Sequence, residues 1–146
     1  RLSLHYRCDM KTYLTLHQDV DVCLDTFPYT GGTTTLHALW MGVPTLTMAG
    51  STVPGRPGAS VLGHVGLDTF IAADPAEFVN QGVAWTVNPE SLARLRAELR
   101  QRLRQSAMGQ PQLVAAGLER ALRIMWRRWC AQLPAESFAV DAQDLP

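Results

Sequence analysis

VDVCLDTFPYTGGTTTLHALWMGVPTLTM, residues Val20 to Met48, is the stretch whose reading decides the fold. Val20 to Leu24 is short, rich in β-branched side chains and stopped by Asp25, which predicts a strand. Asp25 to Gly32 is a loop of Pro, Gly and Thr. A helix is expected from about Thr33 to Met41, and Gly42 stops it. Pro44 to Met48 then reads as the next strand. A strand, a loop, a helix and a second strand in 29 residues point to a parallel sheet covered by helices.

The alternation continues on both sides. Upstream, Leu2 to Tyr6 reads as a strand and Asp9 to about Gln18 as a helix. Downstream come a second Gly/Pro loop (Ala49 to Gly58), a short helix (Ala59 to Val65) and a short strand (Asp68 to Ala72). From there the pattern is helical. Asp74-Pro75 is an N-cap followed by proline at the first helical position, opening a helix to about Trp85. Asn88-Pro89 repeats that signal, and Leu92, Leu95, Leu99 and Leu103 then form one apolar stripe. A last helix is expected from about Gln112 to Gln132, with Leu118, Leu122, Met125 and Trp129 on one side. The domain reading is a body over residues 1–133 and a loosely structured tail over 134–146, with no internal repeat or low-complexity run.

Composition bounds the function. One domain of 146 residues buries roughly 68–70% of its unfolded surface. The 13 basic and 13 acidic side chains balance, so no global field draws the chain to nucleic acid or an anionic membrane. No apolar stretch nears the ~18 residues of a membrane span, and no signal peptide is visible. The sequence starts at Arg1, so the chain is expected to be cut from something longer. Cys8, Cys23 and Cys130 have no metal-ligand spacing and read as free thiols of a reducing, cytoplasmic compartment.

The chemistry concentrates in Asp25 to Thr35. This segment joins a strand end to a helix start, where open α/β sheets bind ligands. Gly31 and Gly32 let a ligand approach the backbone, and Thr33, Thr34 and Thr35 place hydroxyls beside the unpaired N–H groups of the first turn. That combination suits a diphosphate. The same residues also suit a capped helix start with a glycine turn, and composition leaves both readings open, because no P-loop or G-x-G-x-x-G pattern is present.

The run from Val20 to Met48 closely resembles a signature of the O-linked N-acetylglucosamine transferases and the SPINDLY-type O-fucosyltransferases. Gly55-Arg56-Pro57-Gly58-Ala59-Ser60 is similar to the element that follows in that family. LARLRAELRQRLRQS (Leu92 to Ser106) and LERALRIMWRRW (Leu118 to Trp129) are similar to its closing helices. The resemblance covers about residues 2 to 130. It implies the C-terminal, Rossmann-like domain of a GT-B fold, with helices on both faces of a parallel sheet and a helical C-terminal section. It also implies transfer of a sugar, N-acetylglucosamine from UDP-N-acetylglucosamine, to Ser or Thr of a protein acceptor, with inversion and without a covalent intermediate. The nucleotide sugar is then the donor substrate, with no separate cofactor and no metal. A missing N-terminal catalytic half and tetratricopeptide repeats are expected upstream, the fragment alone should be inactive, and self-association is a further expectation.

By position, the resemblance gives Thr33 and Thr34 the diphosphate, with Thr35 and the Gly31–Gly32 pair beside them. Tyr13 falls where the family stacks a histidine on the base, and Cys8 where a backbone group meets the base edge. His37 falls at an acidic residue that binds the ribose, and Arg56 at a loop anchor near the cleft. Gly32 stands where the family often has histidine or threonine, and Met10 where some members have lysine. A neutral imidazole at His37 offers one acceptor where a carboxylate offers two oxygens. No catalytic base is assigned.

The remaining candidates have plainer readings. His5, His17 and His64 lack metal-like spacing. Asp9, Asp19, Asp21 and Asp25 suit caps and strand-end turns. Arg94, Arg96, Arg100, Arg102 and Arg104 read as a solvated face. Trp126 and Trp129, with Met125, read as core or interface packing, and Trp40 reads as core. The rival functions are a nucleotide-binding or interaction module without transfer, an O-fucosyltransferase using GDP-fucose, and a GT-B enzyme with lipid or small-molecule acceptors.

Overall fold

A computed structural model describes residues 2–140. It divides into two compact units, one running to Leu103 and the other beginning at Arg104.

The first unit is a parallel α/β sheet. Its strands are β1 (Cys23–Leu24), β2 (Thr45–Met48) and β3 (Ile71–Ala72), in the order β1-β2-β3, and both pairings are parallel. The register sets Cys23 opposite Thr45 and Thr47 opposite Ile71. Around them lie α1 (Met10–Leu16), α2 (Thr33–Trp40), α3 (Pro57–His64), α4 (Pro75–Thr86) and α5 (Pro89–Gln105). Successive side chains of β2 point to opposite faces. Thr47 meets Gly58 of α3, while Leu46 meets Gly82 of α4.

Local chemistry explains the helix starts. Asp9 caps α1, accepting from the Thr12 amide at 3.0 Å. Asp74 caps α4 by accepting from the Glu77 amide at 2.8 Å, and the Glu77 carboxylate reaches back to the Ala73 amide at 2.7 Å. Asn88 accepts from the Ser91 amide at the start of α5. Gly42 ends α2 at φ +78°, a conformation that disfavours any side chain.

The core joins Leu39, Leu46, Leu62, Phe70 and Leu99, all fully buried, with Trp85 stacked on Phe70 at 4.5 Å. Each such side chain contributes roughly 1.5–3 kcal/mol by leaving water. The leucine stripe of α5 behaves as expected, with Leu92, Leu99 and Leu103 buried and Leu95 packed against the core.

Several elements differ from the sequence reading. Leu2 to Tyr6 forms no strand: Leu2, Leu4 and Tyr6 are almost fully exposed, and an alternating segment without a ladder partner stays unpaired. Val20 to Leu24 shortens to the two residues of β1, and Asp68 to Phe70 is a 3-10 turn leading into β3. Trp40 is 45% exposed, not core, and carries the Arg100 guanidinium over its ring at 5.2 Å. Arg96 and Arg100 are likewise not simply solvated. They donate to the carbonyls of Gly42 and Trp40, and Arg96 also pairs with Asp21. These cations sit where the α2 dipole is negative.

In the second unit, α6 (Pro111–Cys130) follows a 3-10 turn at Ala107–Gly109. Residues 131–140 contain no helix or strand, yet Arg128 donates to the Pro134 carbonyl at 2.9 Å and pairs with Glu136. Trp126 and Trp129 are exposed, which rules out the core half of the core-or-interface reading, and they line an open groove with Leu133 and Phe138. The part of the expected tail beyond residue 140 lies outside the described residues.

Candidate functional site

The loop after β1 and the start of α2 form one side of a cavity of about 480 Å³. Tyr13, Gly31, Thr34 and Thr35 line it, as do Asp25 and Thr45. Four expected site residues therefore share one cavity. Cys8, Gly32, Thr33 and His37 are not among its lining residues. Thr33 is exposed at the first position of α2, and His37 lies one turn on, its ring 5.7 Å from that of Tyr13. Cys8 is exposed and precedes α1.

The start of α2 has no side-chain cap. Gly32 is the N-cap residue and supplies no side-chain oxygen, and the first helical bond runs from the Leu36 amide to the Gly32 carbonyl at 3.1 Å. The amides of Thr33, Thr34 and Thr35 precede that bond, so they are free of intrahelical partners and their dipoles sum at the helix start. The alternative of a threonine-capped helix start is not what forms. Thr34 is exposed, whereas Thr35 is buried and turns its side chain inward.

The two glycines are not equivalent. A Cβ on Gly31 would lie 2.5 Å from Thr34 Oγ1 and 2.9 Å from Thr35 Oγ1, so a larger residue must displace both hydroxyls. A Cβ on Gly32 meets only Pro57 Cβ, at 3.5 Å.

Asp25 sits behind this turn as the expected strand-end aspartate, but its reach is greater than local. Its Oδ1 accepts from the amides of Thr26 at 2.9 Å and Gly31 at 2.8 Å, and its Oδ2 accepts from Thr47 Oγ1 at 2.8 Å. Thr30, also buried, accepts from the Gly58 amide at 3.3 Å. Sequence reading missed Thr47 and Gly58 because they lie 22 and 33 residues from Asp25, and no local signal joins them. Two buried polar atoms, His37 Nδ1 and Thr45 Oγ1, find no partner among the described residues. Burial pushes the Tyr13 phenol and the Cys23 thiol above their ordinary values, and the charge of Asp25 adds to the effect on Cys23.

The other histidines are accounted for structurally. His17 Nδ1 lies 3.1 Å from the Tyr13 carbonyl and its ring packs edge-on to Tyr13. His64 Nδ1 lies 2.8 Å from the Ser60 carbonyl. Arg56 donates to the Gly50 carbonyl at 3.1 Å, anchoring the second Gly/Pro loop. A larger open groove of about 830 Å³ lies away from the glycine turn, lined by apolar side chains of α4 and the residues around β1. No helix among the described residues is long and apolar enough to cross a membrane.

The model of glycosyl transferase family 41 matches residues 12–117. The chain is 41% identical over 111 residues to a protein of Arabidopsis thaliana named "Probable UDP-N-acetylglucosamine--peptide N-acetylglucosaminyltransferase SPINDLY", covering 76% of this chain and 12% of that one. A protein of the same name from Solanum lycopersicum is 36% identical over 131 residues, covering 85% and 14%. Among solved structures, a mutant O-GlcNAc transferase of Thermobaculum terrenum superposes with a TM-score of 0.79 at 38% identity, covering 86% of this chain and 24% of that one. The chain thus spans about an eighth of the length of these relatives and a quarter of the solved enzyme. The matched residues take in the glycine turn, β1 to β3 and α2 to α5, and on that breadth the chain belongs to glycosyl transferase family 41.

Proposed function

We propose that this chain is the nucleotide-sugar-binding part of a cytoplasmic glycosyltransferase that moves a sugar to Ser or Thr hydroxyls of proteins. The donor in this reading is UDP-N-acetylglucosamine. The observation that carries it is the uncapped start of α2, where Gly32 leaves the amides of Thr33, Thr34 and Thr35 without side-chain partners. Thr33 and Thr34 hold the diphosphate, Tyr13 stacks on the base, the Cys8 backbone meets the base edge, and His37 faces the ribose. Charge develops on the departing diphosphate as the glycosidic bond breaks, and fixed amide dipoles stabilise it without reorganising. The family membership and the names of the relatives support the reaction class. The rest of the enzyme, including the acceptor site, lies in this reading outside the 146 residues.

A second reading, nucleotide binding without transfer, is favoured by His37. Its Nδ1 is buried and unpartnered, and it stands where the family pattern has a carboxylate. Both readings share one test, a thermal-shift panel with UDP, UDP-N-acetylglucosamine, GDP and GDP-fucose. A ligand at a hundred times its Kd stabilises by about 2.7 kcal/mol. UDP and its sugar should raise the melting temperature most. A larger rise with GDP-fucose would reassign the donor, and no rise with any of the four would contradict nucleotide binding.

A further inference from the structure

We infer that Asp25 is a positioning residue for the proposed phosphate-binding turn, which it holds by tying the glycine turn and β2 to one carboxylate. This rests on the reading of the α2 start as the diphosphate site. The Gly31 amide belongs to the glycine turn and Thr47 to β2, and both donate to Asp25, while Gly58 in the first turn of α3 packs against the carboxylate and donates its amide to Thr30. A Cβ on Gly58 would lie 2.6 Å from Asp25 Oδ2 and 2.9 Å from Thr47 Oγ1, and one on Gly31 would lie 3.2 Å from Asp25 Oδ1. Gly58 cannot be enlarged while the carboxylate keeps its place, and Gly31 is held close against it.

An ionised carboxylate suits this task because both oxygens accept. An asparagine of the same shape would turn an NH2 group toward one of these donors. Asp25 fixes the Gly31 amide just ahead of the helix start, where the amides of Thr33 to Thr35 have no side-chain cap. A second observation marks the cavity as a ligand site: Thr45 is 4% exposed, lines the same cavity, and its Oγ1 has no partner among the described residues.

The test compares Asp25→Asn, Thr47→Val and Thr47→Ser with Thr33→Ala/Thr34→Ala in this chain. UDP and UDP-N-acetylglucosamine affinities are measured by titration calorimetry, and melting temperature is measured alongside. Losing a hydrogen bond to a charged group should weaken binding about tenfold in Asp25→Asn and Thr47→Val. Thr47→Ser, which keeps the hydroxyl, should stay within about twofold of the parent. A purely structural role would move melting temperature without this split between Thr47→Val and Thr47→Ser. Parent-like affinity in Asp25→Asn, or equal losses in the two Thr47 variants, overturns the inference. Should Asp25→Asn not fold, the Thr47 pair decides alone. If only Thr33→Ala/Thr34→Ala weakens binding, the phosphate site stands and the positioning role falls. If that double variant also binds like the parent, or the parent binds neither ligand, the phosphate reading fails and takes this inference with it.

Discussion

Gly58→Ala tests the packing behind the site without any ligand. Gly58 is the second residue of α3 and is buried. By helix propensity alone, alanine would stabilise α3 by roughly 0.8–1 kcal/mol over glycine. At this position, however, the new Cβ would come within 2.6 Å of Asp25 Oδ2 and 2.9 Å of Thr47 Oγ1. Overpacking of that kind costs about 1–3 kcal/mol. Forcing Thr47 off the carboxylate adds about 1.5–3 kcal/mol for a hydrogen bond to a charged group. The net expectation is a loss of about 2–5 kcal/mol, with the melting temperature down by roughly 3–4 °C per kcal/mol for a chain of this size. Gly63→Ala, in the same helix but exposed, meets nothing nearer than Asp68 Oδ1 at 3.9 Å. It should gain up to about 1 kcal/mol. Urea denaturation of both variants reads the two signs, and in a Thr47→Ala background the Gly58→Ala penalty should shrink. A Gly58→Ala chain as stable as Gly63→Ala would refute the crowding argument.

At the glycine turn, Gly32→Thr should be tolerated within about 1 kcal/mol, as for an ordinary surface substitution, whereas Gly31→Ala should lose about 1–3 kcal/mol by forcing Thr34 and Thr35 aside; equal effects on urea unfolding would show that the turn does not discriminate. His37→Glu should strengthen UDP binding severalfold, about 1 kcal/mol, by supplying two acceptor oxygens, and an unchanged Kd by calorimetry would move the residue away from the ribose. Cys23 should alkylate more slowly than the exposed Cys8 and Cys130 at pH 8, because burial and the Asp25 charge hold its thiol above the ordinary 9.0. The unfolded thiol ionises first, so stability should fall as pH rises through the unfolded value; mass spectrometry showing equal alkylation of all three cysteines would contradict this.

Features set by neighbours a few residues apart were legible in the sequence. Asp74, Pro75 and Glu77 announce the start of α4 because a cap acts within one turn. The leucine stripe of α5 needs only helical periodicity to be read. Leu2 to Tyr6 was misread because alternation makes a segment fit for a sheet without supplying the strand it pairs with. Trp40 looked like core by residue type, and only the tertiary position of Arg100 shows how it is used. The glycine turn itself was found, but the reason for its glycines was not. Thr47, Gly58 and Asp25 are distant in sequence; the parallel register of β1 with β2 brings Asp25 beside Thr47, and the packing of α3 sets Gly58 against both.

The central claim is that the start of α2 receives the diphosphate, and an amide-resolved NMR titration with UDP tests it most directly. The expected result is that the amides of Thr33, Thr34 and Thr35 shift most, with downfield movement from new hydrogen bonds to charged oxygens, while those of α6 remain in place. Saturable shifts concentrated in the groove of α6, or around α4, with the Thr33 to Thr35 amides unmoved, would contradict the account.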